Sequence, residues 1–335
     1  MKKGILTLSA LGIWACSGQI QAKVNVCVFD LLGKAGESYK LIEEWALLSK
    51  TWGAEVNLLP YQDEAKAEKD FKGGVCDAFY MTSMRARAYS KFAGSIDALG
   101  GVPNNSIAQK AIAYVLDKRN ARRLVTKVGG ESYEVAGIGQ IGSAYIFVKD
   151  RSLNSVAEVK AKKFAVLHYD RAQKQMVERI GAKPVMSDIS NFVRKFNSGE
   201  VDLVVAPAYA FKPLEIHKGL GSQGGMIDFP VVNVTADLVL RQDKFPEGYA
   251  AQSRAWFVRQ LPKSFAMVKR LEAEIPAKYK VALSKEDQAA YQQLLREGRM
   301  DLTAQGVYDA AMMTVLKKAR CTVERTNFEC SLGGE

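Results

Sequence analysis

The sequence predicts an α/β protein of two lobes that are joined by crossing strands and completed by C-terminal helices. A pattern of strand, helix, strand, helix, strand occurs twice, at about 23–92 and about 155–215. Two further strand-like segments lie at about 130–150 and 225–240, and the chain beyond Phe245 has mainly helical periodicity. Alternating strands and helices indicate parallel βαβ units. We therefore expect a cleft between the two lobes, crossed by hinge strands.

The N-terminal segment has the three parts of a secretory signal. Lys2 and Lys3 are followed by an uncharged, largely apolar run at 4–15 and then by small and polar residues up to Ala22. The apolar run is shorter than the roughly 20 residues that a membrane span needs, although an uncleaved anchor remains the alternative. We predict a signal peptide at 1–22 and a mature protein in the periplasm.

The cysteines agree with export to an oxidising compartment. Removal of the signal leaves four of the five, which are Cys27, Cys76, Cys321 and Cys330. Two disulfides are therefore expected: one between Cys27 and Cys76 if their strands are neighbours, and one that closes a C-terminal hairpin at 321–330. A bulky tryptophan precedes Cys16 where lipoprotein signals have small residues, which disfavours lipid anchoring there.

The first repeat can be divided by its apolar periodicity and its turn residues. Val24–Phe29 is apolar except for one asparagine, as expected for a strand buried on both faces, and Gly53 is a typical helix end. The predicted strands are Val24–Phe29, Ala54–Leu59 and Val75–Met81. The predicted helices are Glu37–Trp52, Asp63–Lys72 and Thr82–Phe92.

The rest of the chain is predicted in the same way. A long helix at Asn104–Leu124 precedes the strands Tyr133–Ile141 and Ala144–Val148. The second repeat has the strands Phe164–Tyr169, Pro184–Met186 and Val201–Pro207 and the helices Arg171–Ile180 and Ile189–Phe196. The C-terminal helices are Gly248–Glu274 (with a break near Pro262), Lys285–Leu295 and Gly306–Arg320.

These elements predict the domain boundaries. The first lobe comprises 23–140 together with part of 225–335, and the second lobe comprises 141–224. The helices at 245–320 are expected to pack on both lobes and on the hinge.

Composition and motifs argue against nucleic-acid binding and against catalysis. The net charge is +11, but the Lys and Arg residues are scattered and form no basic run interleaved with aromatic residues. The only histidines, His168 and His217, lie in different elements, and no zinc, nucleophile-elbow or phosphate-loop motif occurs. We expect a protein that is not an enzyme and uses no cofactor, although a pair of catalytic carboxylates remains open.

Four segments carry a resemblance to a known family. They are the second-lobe segments 158–166 (EVKAKKFAV), 180–185 (IGAKPV) and 196–202 (FNSGEVD), and the first-lobe segment 74–80 (GVCDAFY). They resemble the periplasmic solute-binding proteins of TRAP-type (DctP-like) transporters. The resemblance implies a periplasmic-binding-protein-like fold of type II. It also implies a monomer that captures a small polar or charged solute between its lobes for the subunits of a membrane transporter.

The whole chain also resembles a group of solute-binding proteins with relatives labelled as AdeT-type components of RND efflux in aminoglycoside resistance. This label supplies the alternative function, an accessory protein that binds an envelope partner such as an efflux assembly. One departure from the TRAP family matters. Ala165 stands where the family has an arginine that holds a ligand carboxylate, and a second basic position falls near Ala144. Ligand identity therefore remains open.

The candidate binding residues lie where predicted strands end, because ligands of such sheets bind beyond the carboxyl ends of the strands. Arg171 is the candidate substitute anchor, with a solvated arginine as the alternative. Asp30 would suit a cationic amine, unless it is only a turn residue, and Tyr209 either contacts ligand or packs in the core. The full set is Phe29, Asp30, Tyr80, Met81, Thr82, Ser83, Arg85, His168, Tyr169, Arg171, Pro207 and Tyr209.

Overall fold

The computed structural model describes residues 22–335. The predicted signal peptide, apart from its last residue, and Cys16 therefore lie outside the described residues. Within residues 22–335 no helix is both long and apolar enough to cross a membrane.

Ten strands occur in the described chain. They are β1 Ala22–Phe29, β2 Ala54–Tyr61, β3 Ala78–Thr82, β4 Val125–Val128, β5 Glu131–Val148, β6 Lys163–Leu167, β7 Lys183–Ser187, β8 Leu203–Pro207, β9 Gly225–Arg241 and β10 Lys280–Val281.

Twelve α-helices accompany these strands between residues 22 and 335. They are α1 Glu37–Ser49, α2 Glu64–Lys72, α3 Ser83–Ala86, α4 Lys91–Gly94, α5 Asn105–Val115, α6 Arg171–Arg179, α7 Phe192–Ser198, α8 Ala208–Phe211, α9 Ile216–Leu220, α10 Tyr249–Ala273, α11 Lys285–Ala304 and α12 Ala310–Val323.

Polar side chains at the helix starts explain several of these boundaries. Asp63, Asn104, Asp170 and Ser284 each accept a hydrogen bond from a backbone N–H in the first turn of the helix that follows. Such caps satisfy amides that have no partner within the helix. After α1 the chain continues as a short 3-10 helix, Lys50–Trp52, which ends at Gly53. Gly53 takes a left-handed conformation with φ of 94°, which glycine adopts without steric cost.

The strands form one continuous sheet in the order β2-β1-β3-β9-β5-β8-β6-β7, with β10 beside β9 and β4 beside β5. Strands β1, β2 and β3 pair in parallel, and so do β6, β7 and β8. The long strands β5 and β9 pair with each other and with both groups in antiparallel fashion. We call β1–β3 with α1–α4 the first lobe, and β6–β8 with α6–α9 the second lobe.

The two long strands connect the lobes, as predicted for the hinge. Their pairing shifts register four times, and one shift falls between Gln140 and Gly142, where Gly142 has φ of 134°. Beside this irregularity the buried amides of Gln140 and Asn233 hydrogen-bond to each other in both directions, at 2.6 and 3.0 Å. The predicted fold class, a mixed α/β architecture with crossing strands and a helical C-terminal part, is confirmed.

Several predicted element boundaries were wrong. The long helix at 104–124 is α5 followed by a 3-10 helix, Lys118–Leu124, because the Asp117 side chain accepts from the backbone N–H of Arg119 and competes with the helix. The helix at 82–92 is two short helices, since Ser90 caps a new one. Pro262 does not break α10.

The four cysteines form two disulfides, Cys27–Cys76 and Cys321–Cys330. Cys27 lies in β1, and Cys76 lies just before β3, which starts at Ala78 and pairs with β1. The C-terminal bond does not close a hairpin of strands. It joins α12 to the 3-10 helix Phe328–Ser331.

Candidate functional site

Two adjacent cavities lie between the lobes. The Asp30 cavity, of about 80 Å³, is lined among others by Phe29, Asp30, Thr82, Ala165, Pro207 and Tyr209. The Asp97 cavity, of about 70 Å³, is lined among others by Asp97, Leu99, Asp170, Met176, Tyr291 and Tyr308. Both are bounded by Met84 of the first lobe, Ala165 and Gln173 of the second lobe, and Val232 of the hinge strand β9. The two lobes and the hinge therefore line one shared space, which is large enough for a small ligand.

The walls of both cavities are mainly apolar, and the charged side chains of residues 22–335 that line them are all carboxylates. Asp30 is the charged residue of the first cavity, and Asp97 and Asp170 are those of the second. Neither lining includes a lysine or an arginine of the described chain. Ala165, 5% exposed, lies where the two cavities meet.

Asp30 directly follows β1 and is fully engaged by the protein. One carboxylate oxygen accepts from the backbone N–H of Leu32 at 2.8 Å and from the hydroxyl of Tyr209. The other accepts from the backbone N–H groups of Ser38 and Tyr39, at 2.9 and 3.1 Å. These bonds hold the start of α1 and connect the lobes. Burial, together with the charge of Asp30, raises the pKa of Tyr209 well above its usual range.

Asp97 belongs to a second contact between the lobes. The guanidinium of Arg87 donates to one oxygen of Asp97 and, at 3.2 Å, to Asp170 at the start of α6. The other oxygen of Asp97, Oδ2, accepts no hydrogen bond from any residue in 22–335. Burial raises the pKa of Asp97 to about 6, with Arg87 opposing this rise and Asp170 adding to it.

A third contact surrounds Arg85. Its guanidinium donates to Glu64 at 2.9 Å and to Glu68 at 2.6 Å, and lies 3.7 Å from the centre of the Tyr169 ring. The Tyr169 hydroxyl donates to Glu64 at 2.9 Å, so a second-lobe side chain closes over a first-lobe ion pair. Burial raises the pKa values of Glu64 and Tyr169. A cation against an aromatic face is stabilising when both are shielded from water.

The structure places the predicted binding residues in four groups. Five line the Asp30 cavity, namely Phe29, Asp30, Thr82, Pro207 and Tyr209. Three are buried in the first lobe and outside both linings, namely Tyr80, Met81 and Ser83. Arg85 and Tyr169 form the cross-lobe contact just described. Whether any of these residues contacts a ligand stays a prediction.

The last group, His168 and Arg171, does not line either cavity. Arg171 is exposed and donates to Gln305 at the end of α11. This position matches the alternative of a solvated arginine, because Asp170 already occupies the inward position as the helix cap and the next residue is turned by about 100° around the axis. The imidazole of His168 is half exposed, 3.4 Å from Asp188.

The sequence reasoning missed Asp97 and Tyr291. Asp97 stands within a nearly apolar run, FAGSIDALGG at 92–101, and a single carboxylate in such a run is a signal that could have been used, since unpaired buried charges are rare. Tyr291 comes from α11, almost 200 residues further along the chain. No pattern near it indicates that it faces the cleft.

A metal site is not indicated. Residues 22–335 contain no group of three or more His, Cys, Asp or Glu side chains placed to hold a metal ion. The carboxylates of the cleft are instead separated by Arg87 or bound by backbone amides.

Comparisons with known proteins agree with this architecture. The model of a family described as solute-binding protein AdeT 1/2 matches residues 45–335. The chain is 41% identical to "Probable solute-binding protein AdeT1" of Acinetobacter baumannii over 308 residues, which are 92% of this chain and 100% of that protein.

Solved structures of TRAP periplasmic solute-binding proteins share the fold at low identity. One from Desulfovibrio salexigens with bound orotic acid has a TM-score of 0.71 at 12% identity, covering 91% of this chain and 99% of that chain. One from Ralstonia eutropha with bound (S)-2-acetolactate has a TM-score of 0.69 at 15% identity, covering 90% and 99%.

Proposed function

We propose a function from the premise that this chain belongs to the solute-binding protein AdeT 1/2 family. The protein captures a small solute in the two cavities between its lobes and presents the closed complex to a membrane transporter. The proposal assigns 23–140 with part of 225–335 to one lobe and 141–224 to the other. The two stretches β5 and β9 would then act as the hinge.

One observation carries the proposal: both cavities are walled by the first lobe, the second lobe and the hinge strands together. A solute in this position contacts both lobes only when they are closed. Because it binds the closed form better than the open form, it shifts the population towards closure. Hinge closure around a ligand is a common conformational change in two-lobed proteins.

The contacts between the lobes supply the closed form's own stability. Tyr209 reaches Asp30, Tyr169 reaches Glu64, and Arg87 connects Asp97 to Asp170. The contacts Tyr209–Asp30, Tyr169–Glu64 and Arg87–Asp170 each join one lobe to the other, so each is broken on opening. The solute adds to these contacts and need not supply all of the closing free energy.

The compartment and the partners belong to the same proposal. Two disulfides favour an oxidising compartment such as the periplasm, as does the secretory pattern at 1–22. We propose a monomer without enzymatic activity or cofactor, and a TRAP-like transporter as its partner. The family is one of solute-binding proteins, which favours this function over an accessory of an efflux assembly.

The test is native mass spectrometry of protein purified from the periplasm, followed by thermal unfolding with the solute that is released. We expect a stoichiometric passenger that raises the melting temperature and reduces the radius of gyration in solution scattering. Ala165→Trp fills the junction of both cavities and should abolish all three signals, whereas Met186→Trp, on an exposed part of β7, should keep them. An empty protein that no metabolite stabilises would contradict solute binding.

A further inference from the structure

We propose that the solute is a small organic cation, a protonated amine on an apolar body, and that the amine binds at Asp97. The inference rests on the proposed solute-binding function and names the chemical class of ligand. Three observations carry it: two unpartnered polar groups on residues that line the Asp97 cavity, the charge of the residues around them, and the absence of cationic side chains of residues 22–335 from both linings.

The unpartnered groups are the Oδ2 atom of Asp97 and the hydroxyl of Tyr291. Both atoms are buried, and neither takes part in a hydrogen bond within residues 22–335. Asp97 is 2% exposed and Tyr291 is 3% exposed, and both residues line the same cavity. Buried polar atoms nearly always have a partner. A ligand that donates to the carboxylate and reaches the phenol would satisfy both.

The charge around Asp97 determines which donor fits. Arg87 is a single cation held between Asp97 and Asp170, so the three groups together carry one net negative charge when both carboxylates are ionised. The nearby carboxyl of Asp237, whose pKa burial raises to about 7, adds no charge while it is protonated. A buried charge is costly unless it is paired. A monovalent ammonium group is therefore the ligand charge that brings this cluster to neutrality.

A carboxylate ligand would meet the opposite situation. Asp30, Asp97 and Asp170 line the cavities, no lysine or arginine of the described chain does, and Ala165 occupies the junction. An organic acid would thus be desolvated beside like charges without a cationic partner. Like charges repel strongly when they lie close together in a poorly solvated site.

The size and walls of the cavities describe the rest of the ligand. The Asp97 cavity has about 70 Å³ and the Asp30 cavity about 80 Å³. A cavity of roughly 150 Å³ accommodates benzene. Because the two cavities adjoin at Met84 and Ala165 and have mainly apolar walls, we infer one amine with an apolar body of about benzene size that extends towards Asp30.

The experiment is a titration of the mature protein by calorimetry with primary amines no larger than benzylamine. Each amine is paired with the alcohol and the carboxylate of the same carbon skeleton, such as benzyl alcohol and benzoate. We expect the best amine to bind roughly ten- to hundred-fold more tightly than its alcohol, as a hydrogen bond to a charged group suggests, and its carboxylate to bind more weakly still.

Variants assign the effect to Asp97. Asp97→Asn keeps the shape of the side chain and should remove the preference of amine over alcohol, while Tyr291→Phe should weaken amine binding more modestly. Asp243→Asn changes an exposed carboxylate and should leave the preference intact. If Asp97→Asn does not fold, Ala165→Arg serves instead, because a guanidinium at the junction should weaken amines and favour acids.

The outcomes separate this inference from the function on which it rests. Preference for carboxylates, no binding by any amine of the panel, or an unchanged preference in a folded Asp97→Asn protein would each overturn the assignment to an amine. An acidic passenger from the periplasm would overturn it too, and would still support solute binding. Solute binding itself fails only if the protein carries no passenger and no solute of any charge stabilises it.

Discussion

Asp30 and Asp97 are both buried carboxylates at the same interface, yet the protein treats them differently. Asp30 accepts four hydrogen bonds, three from backbone amides and one from Tyr209. Asp97 is bound at one oxygen by Arg87, and its other oxygen has no partner among residues 22–335. Both oxygens of Asp30 accept hydrogen bonds from the two lobes, whereas one oxygen of Asp97 remains available to accept a hydrogen bond from a ligand.

The difference separates two roles that a sequence presents alike. A carboxylate whose acceptor positions are filled by the protein organises a loop and a helix start, and a ligand would have to displace those bonds. A carboxylate with a buried oxygen that accepts no hydrogen bond lowers the stability of the empty protein. A ligand that donates to this oxygen restores that stability. Five substitutions test this comparison, in order of decreasing expected effect.

Arg87→Met should have the largest effect, because it leaves Asp97 and Asp170 buried without their shared cation. We expect the free energy of unfolding to fall by about 3–5 kcal/mol, the usual loss when one partner of a buried pair is removed, measured by urea denaturation. Arg171→Met, at an exposed arginine with one hydrogen bond, is the control. Equal losses in the two variants would contradict a buried triad.

Asp30→Ala should lower the free energy of unfolding by about 3–4 kcal/mol, since several buried donors lose their acceptor at once. Gly36→Ala should act in the same direction without changing charge, because an added Cβ would overlap the Asp30 carboxylate. Asp63→Ala removes a cap with one backbone bond and should cost only about 1 kcal/mol. An Asp30 variant no less stable than the Asp63 variant would refute the saturated role.

Asp97→Asn should have a stability effect that depends on pH. Burial, opposed by Arg87, raises the pKa of Asp97 from 3.8 to about 6. Between about pH 4 and pH 6 the folded wild type therefore holds a proton that the unfolded chain has lost. Its free energy of unfolding falls as pH rises through this window, by at most about 2–3 kcal/mol.

Asparagine does not titrate in this range. In the absence of solute, the free energy of unfolding of Asp97→Asn relative to that of the wild type should therefore rise from pH 4 to pH 6. The charged and titratable groups around Asp97 are Arg87, Asp170, Tyr308 and Asp237. Asp237, whose pKa burial raises to about 7, is present in both proteins. Chemical denaturation across this pH range measures the difference, and a constant difference would contradict an ionised, poorly satisfied Asp97.

Tyr209→Phe should cost about 1.5–2 kcal/mol through loss of a hydrogen bond to a charged acceptor. Because that bond connects the lobes, the loss should appear mainly as opening, seen as a larger radius of gyration in solution scattering. Tyr249→Phe breaks a buried bond to Ser49, outside the lobe interface, and should lower stability without opening the protein. A compact Tyr209→Phe protein would show that this bond does not hold closure.

Tyr291→Phe should have the smallest effect on the empty protein and a stabilising one, a rise of about 1 kcal/mol in the free energy of unfolding, because its hydroxyl makes no hydrogen bond within residues 22–335 and a buried polar group without a partner costs stability. Thermal unfolding measures this change. A loss as large as that of Tyr249→Phe would show that the Tyr291 hydroxyl has an internal partner, and would weaken its assignment to the ligand.

The predictable part of the site lies at strand ends. Phe29 ends β1 and Asp30 follows it, Thr82 ends β3 and Pro207 ends β8, and all four line a cavity. They could be predicted because parallel strands bring their carboxyl ends to one edge of a sheet. Arg171 could not be judged in this way, since a rotation of one residue around a helix decides between cleft and solvent.

The sequence by itself determined the fold class and the disulfide cysteines. Strand and helix periodicity, turn residues and an even cysteine count are local properties that neighbouring residues impose on each other. Only the tertiary structure decided which carboxylate is satisfied. Asp97 is joined through Arg87 of its own lobe to Asp170 of the other lobe, and it lines the same cavity as Tyr291 of α11. Hydrogen-bond saturation depends on distances between segments that are far apart in the chain, and no local pattern records those distances.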